Sequence, residues 1–264
     1  MYRLLIVTEK QSVREMFEGM SGWEVMGFKP PRLRATTEEA LACMEKHHID
    51  AIAMDQGELF ADLDAHVEQN CPTMLRFDVE ESPEEQLKTI RLLDRLLSQI
   101  RADHSNNQYD ENNALQYTRD RQMKAVLSGL VPTGKELCAR LRMLRCPEQG
   151  NVPCIVARLG LDEEDPFLTE RWHYGSDRLE VALRNFFGGD QPHMLVHVAV
   201  VSQDEVRVLC YPRCEGEKLD QAGVQSFIEE VAQQVENYMG LRMKVLDVQE
   251  IPGLCVFARE YSAD

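Results

Sequence analysis

Residues 50–58 read Asp-Ala-Ile-Ala-Met-Asp-Gln-Gly-Glu, a short apolar run that ends on an acid, Asp55. A continuous apolar run of strand length is the pattern of a parallel strand covered on both faces. Arg3-Leu-Leu-Ile-Val7, near the start of the chain, is a second such run. Between the two, Val13, Met16, Phe17 and Met20 recur at helical spacing before Gly22, and Trp23 to Phe28 reads as another strand. A Pro-Pro turn then leads into a helix from Thr37, with Ala40, Leu41 and Met44 as its apolar stripe. Ala51 to Met54 becomes the third strand and Thr73 to Phe77 the fourth. Strands alternating with helices at this spacing predict a doubly wound α/β sheet. Ligands of such sheets sit beyond the carboxyl ends of the strands. Glu9 follows strand one and Asp55 follows strand three, so both are expected at one crevice.

From Glu84 onward the periodicity is helical. Ile90, Leu93, Leu97 and Ile100 form an a/d seam of two heptads, suited to self-association or to packing on the sheet. His104 to Asn113 is polar and Asn-rich and reads as a linker. Two helices follow, one through Met123, Val126, Leu127 and Leu130, the other through Leu137, Leu141 and Leu144. The last part alternates again. Pro153 to Leu161 is a strand, Arg178 to Phe187 a helix, and Met194 to Val201 with Val206 to Tyr211 a hairpin around Ser202-Gln-Asp-Glu205. Val224 to Met239 is an amphipathic helix, Arg242 to Val248 a strand, and a final helix starts at Leu254. The expected layout is an α/β domain over 1–102, a helical linker over 103–150, and an α+β domain with an antiparallel central sheet over 151–264.

The chain has 264 residues, 44% of them hydrophobic, enough for two folded cores. No apolar run approaches the roughly 18 residues of a membrane span, and Met1 to Lys10 lacks the apolar core of a signal peptide. The expected location is the cytoplasm, with no membrane partner. A net charge of −16 argues against gripping a polyanion, because nucleic-acid binding draws on Lys and Arg neutralising phosphates. Residues 1–102 carry 12 basic and 19 acidic side chains, 103–150 carry 7 and 6, and 151–264 carry 10 and 20, so no segment is basic overall. The eight cysteines are scattered, which predicts buried thiols rather than a disulfide framework.

The stretches Leu4 to Lys10, Gly22 to Phe28, Glu38 to Asp55 and Pro72 to Leu75 resemble the receiver domain of two-component response regulators. The Gly22-Trp-Glu-Val-Met-Gly-Phe28 segment is most similar to receivers of AraC-type regulators. The resemblance implies a flavodoxin-like fold, with Asp55 at the phosphoacceptor position. In that family an acidic pair after strand one binds Mg²⁺, a Thr or Ser ends strand four, and a Lys ends strand five. Here the pair is Thr8-Glu9, Phe77 stands at the hydroxyl position, and the chain between Asp78 and Ile90 is too short for a fourth helix and a fifth strand. Aspartate phosphorylation needs a carboxylate-held Mg²⁺ and a cation for the product's charge. Glu9 and Asp55 supply two metal ligands and no cation. The expectation is a shortened pseudo-receiver, with Mg²⁺ at its crevice only in the alternative reading.

From about Tyr117 onward, with the helical lead-in Arg119 to Cys146, the chain resembles the segment between receiver and DNA-binding module in AraC-type regulators, ending in a degenerate GGDEF-like domain. Phe186-Phe-Gly-Gly-Asp190 contains Gly-Gly-Asp but closes a helix, where glycine is a C-cap. The signature's place is the hairpin, where Ser202, Gln203, Asp204 and Glu205 stand and both close-approach glycines are lost. Asp162 joins Asp204 and Glu205 as a conceivable carboxylate cluster. Cys210, Cys214, His193 and His197 make a weak zinc pattern, and Trp172 is a candidate pocket wall.

The resulting expectation is a non-enzymatic signalling protein: the regulatory portion of an AraC-type response regulator, acting through homodimerisation or partner contacts, with a cognate histidine kinase as upstream partner. DNA would be reached only through a helix-turn-helix module beyond Asp264. The alternative is a phosphorylation-competent, Mg²⁺-dependent receiver, or a residual nucleotide-binding cyclase-like domain.

Overall fold

The structure, a computed structural model, describes residues 1–55, 58–80, 82–107, 111–131, 134–161, 167–188, 191–214 and 216–261. Internal contacts divide the chain into two compact units, residues 1–119 with 139–147, and residues 120–138 with 148–264. The chain is mixed α/β, with one parallel and one antiparallel four-stranded sheet.

In the first unit, β1 (Leu4–Val7), β2 (Arg32–Arg34), β3 (Ala51–Met54) and β4 (Leu75–Arg76) form a parallel sheet of order β2-β1-β3-β4. The apolar runs are continuous because both faces are covered. Leu4, Ile6, Ala51 and Ala53 pack with Phe17 of α1 (Gln11–Gly19) and with Ile90 and Leu93 of α4 (Pro83–Asn107). Leu5, Val7 and Ile52 pack on the other side with Ala40 and Cys43 of α2 (Thr37–Lys46) and Leu63 and Val67 of α3 (Ala61–Asn70). Full burial of each large apolar side chain contributes about 1.5–3 kcal/mol, so a four-stranded sheet has enough core on two sides to hold. Helix starts follow local chemistry. Thr36 Oγ1 accepts from the Glu39 amide at 3.3 Å while Glu39 Oε2 accepts from the Ala35 amide at 3.0 Å, a reciprocal cap. Ser82 caps α4 at the Glu85 amide, and Pro83 sits where its missing N–H costs nothing.

Three expectations change in this unit. Trp23 to Phe28 is a coil of turns, not a strand, joined to the sheet only by a bridge between Tyr2 and Phe28. Gly22 and Gly27 adopt φ of 80° and 81°, which wraps the segment so that Trp23 and Phe28 are buried and Val25 is exposed. The edge strand lies after the prolines instead. The expected linker of His104 to Asn113 is helical where it is described: α4 runs to Asn107, α5 (Glu111–Leu127) follows, and residues 108–110 lie outside the described residues. The Ile90, Leu93, Leu97 and Ile100 seam packs into the chain's own core, the first three at 0%, 0% and 8% exposure and Ile100 partly buried. That face is occupied within the chain, so a second copy would need another surface.

In the second unit, β5 (Cys154–Leu161), β6 (Met194–Val200), β7 (Glu205–Pro212) and β8 (Met243–Ile251) form an antiparallel sheet of order β6-β7-β5-β8. The helices α7 (Ser176–Phe187) and α8 (Gln221–Met239) contribute Leu179, Leu183, Phe187, Val224, Ile228 and Val235 to its core. Asp220 caps α8 at the Gly223 amide and Gly240 ends it in the left-handed conformation. Cys138 of α6 (Gly134–Met143) and Cys255 of α9 (Leu254–Tyr261) form a disulfide across a sequence separation of 117. Two of the eight cysteines are therefore paired and six remain thiols, one bond rather than a framework; so wide a spacing carries no local signal. Gly150 and Gly253 allow the crossing. A Cβ on Gly150 would lie 2.3 Å from Cys255 Sγ, and one on Gly253 would lie 2.6 Å from the Gly150 carbonyl oxygen.

Candidate functional site

Asp55 follows β3 directly, and its side chain is 17% exposed. Its amide donates to the Val7 carbonyl, which ties the end of β3 to the end of β1. Thr8, fully buried, donates its hydroxyl to Asp55 Oδ2 at 2.6 Å. Lys10 places Nζ 3.3 Å from Asp55 Oδ1, and its amide donates to Thr8 Oγ1 at 3.0 Å. Side chains alternate along extended backbone, so Thr8 and Lys10 share the side facing Asp55. Glu9 lies between them and is exposed; Lys10, not Glu9, lines the cavity beside Asp55.

That cavity, of about 760 Å³, also receives Asp78, Glu80 and Arg142. Each of its carboxylates has a partner. Asp78 pairs with Arg142 at 2.8 Å, Glu80 accepts from the Thr89 hydroxyl at 2.9 Å, and Asp55 is held by Thr8 and Lys10. Among the described residues no group of three or more His, Cys, Asp or Glu side chains is placed to hold a metal ion. Of the two carboxylates expected to hold Mg²⁺, Asp55 lines this cavity, while Glu9 is exposed and is not among its lining residues. Phe77, at the hydroxyl position, is buried in the apolar cluster under the sheet. Lys10 is the residue that reading from the family pattern missed. The signal available was its two-residue spacing from Thr8.

In the second unit, Ser202 to Glu205 occupy the turn and first strand residue of the β6–β7 hairpin. Ser202 Oγ bonds Asp204 Oδ1, and the Asp204 carbonyl accepts from the Leu161 amide at 2.7 Å. Glu205 accepts from Arg158 Nε at 2.8 Å and Nη2 at 2.9 Å, and from Arg207 Nε at 2.6 Å. Arg158 first, then Arg207, outweigh burial and hold the Glu205 carboxyl down to about 2. A carboxylate so committed is a fastener between β5 and β7, not a free metal ligand. Asp162, Gly189 and Asp190 lie outside the described residues.

A cavity of about 700 Å³ adjoins the hairpin at Ser202 and Gln203, with Trp172, Leu179 and Ser176 among its walls. Trp172 is fixed there by stacking on Phe167, centroids 5.5 Å apart, and by donating to the Gly175 carbonyl at 2.9 Å. The four residues of the zinc pattern do not converge. Cys210 is buried in the core, where burial and then Cys154 push its thiol up to about 12; Cys214 is exposed. His197 pairs at 2.5 Å with buried Glu148. No helix among the described residues is long and apolar enough to cross a membrane. The sequence matches no model of a known protein family and no curated protein.

Proposed function

We propose that the chain is the regulatory portion of an AraC-type response regulator, built from a shortened flavodoxin-like pseudo-receiver and a degenerate GGDEF-like domain. The observation that carries this reading is Asp55 at the carboxyl end of β3 in a parallel sheet of order β2-β1-β3-β4, both oxygens engaged by Thr8 and Lys10. A receiver aspartate attacks phosphorus with a free carboxylate oxygen while a metal spreads the incoming charge. Here a buried hydroxyl and an exposed ammonium engage the two carboxylate oxygens, and Lys10 supplies a cation that the family pattern places elsewhere; the silent-receiver reading rests on the lost second acid at Thr8 and on Phe77 at the hydroxyl position. The GGDEF-like hairpin lacks its glycines, and Glu205 is spent on two arginines, which favours a silent module over a cyclase. The function lies in presenting a fixed geometry to a second copy or a partner.

Sedimentation velocity and a DNA band shift on the purified chain test this. A concentration-dependent dimer without duplex-DNA affinity at physiological salt is expected. A salt-sensitive band shift by the chain itself would remove the regulatory reading.

A further inference from the structure

In a chain with 45 acidic and 29 basic residues, cations normally find carboxylates. One cavity gathers several cations without them. Arg3, Lys29, Arg32, Arg34 and His47 line a cavity of about 810 Å³ around the edge strand, with Glu18 as its one acid. Sequence parity and register bring them together. Arg32 pairs with Leu5 and Arg34 with Val7, and neighbours in a parallel ladder point to the same face. That face is the one Leu5 and Val7 turn toward α2. Arg3 shares the parity of Leu5, while His47 is the residue that ends α2.

None of these cations, nor Lys46 beside them, has an ion-pair partner among the described residues. Arg34 spends one N–H on the Leu33 carbonyl. The nearby Asp50 carboxylate is taken up by the Arg3 amide at 2.7 Å and by His48 at 3.3 Å. Cationic side chains thus outnumber the acid in the cavity's lining. His47 registers them: burial first, then Arg32, Arg3 and Arg34, hold its imidazole below the usual range.

We propose that this cavity binds a small multiply charged phosphate compound, with the Arg32 and Arg34 guanidiniums as its principal contacts. Two arginines at i and i+2 leave the strand on one face, and a guanidinium is the side chain whose fork matches phosphate oxygens in pairs. The volume lies within the range of small-molecule sites, and Pro30-Pro31 stiffen the approach to β2. The site lies on the edge strand, and none of the residues around Asp55 lines it. It stands whether or not Asp55 is phosphorylated.

The test is isothermal titration of the full chain with sodium pyrophosphate. One site per chain is expected, weakening several-fold as sodium chloride rises from about 50 to 200 mM. Arg32→Gln and Arg34→Gln should each lower affinity about tenfold or more, as loss of a charge-assisted contact does, while Arg14→Gln on α1 leaves it unchanged. Should either glutamine variant unfold, Arg32→Lys keeps the charge and loses the fork, and is expected to bind several-fold more weakly than the original chain. The His47 imidazole, followed by NMR, should titrate at higher pH with pyrophosphate bound. Absence of heat, equal binding by the glutamine variants, or tighter binding of hexaglutamate than of pyrophosphate would overturn the proposal.

Discussion

Reduction of the Cys138–Cys255 disulfide should destabilise the second unit strongly. The bond closes a loop across a sequence separation of 117, and the chain-entropy relation gives about 5 kcal/mol for a loop of that size at 25 °C. That is a large part of the roughly 5–15 kcal/mol that holds a domain together. Trp172 belongs to this unit and Trp23 to the other, so urea unfolding of a Trp23→Phe variant, followed by fluorescence, reports the second unit alone. With a slope of about 2.5 kcal/mol/M, reduction should lower the midpoint by about 2 M. Alkylation under denaturing conditions provides the parallel count: six thiols before reduction and eight after. Gly150→Ala would place a Cβ 2.3 Å from one sulfur and 2.6 Å from the other, and should raise the unreduced thiol count. Superimposable unfolding curves with and without reductant, or eight reactive thiols from the start, would refute the reasoning.

Glu205→Gln should cost about 3 kcal/mol or a little more at neutral pH, the order given by lowering a carboxyl from 4.5 to about 2. A depressed carboxyl stabilises above its unfolded pKa and loses that contribution as pH falls through the folded value. The difference between variant and original chain should therefore shrink from pH 4.5 toward pH 2 in thermal melts. Phe77→Ser should destabilise the first unit by about 3–5 kcal/mol because it empties a buried aromatic site, measured by urea unfolding followed by Trp23 fluorescence in a Trp172→Phe background. Leu93→Ala should cost about 2–5 kcal/mol in the same assay. It should leave any dimer dissociation constant unchanged, since Leu93 is spent on the chain's own core.

The α/β pattern was legible where burial on two faces writes itself as an unbroken apolar run, as at Leu4 to Val7 and Ala51 to Met54. It was misleading at Trp23 to Phe28, where two glycines turn a strand-like composition into a coil. The Ile90 seam left self-association and packing on the sheet both open, because a/d spacing records that a helix face is buried, not what buries it; within the chain it packs on the core. Asp55 could be found from sequence, since a strand end in a parallel sheet projects into the crevice. Its neighbours could not: the family pattern directs attention to a lysine after a fifth strand, while the cation present comes from Lys10, two residues past Thr8. Segment charge counts hid the Arg32–Arg34 cluster in the same way, because an average over 1–102 is acidic and only the register shows which cations share a face. The pairing of Cys138 with Cys255 depends wholly on tertiary structure.

The most direct test of a silent Asp55 is the intact mass of the chain after incubation with Mg²⁺ and acetyl phosphate. An unchanged mass is expected for the original chain and for Asp55→Ala alike. A phosphoryl-sized gain that disappears in Asp55→Ala would contradict it.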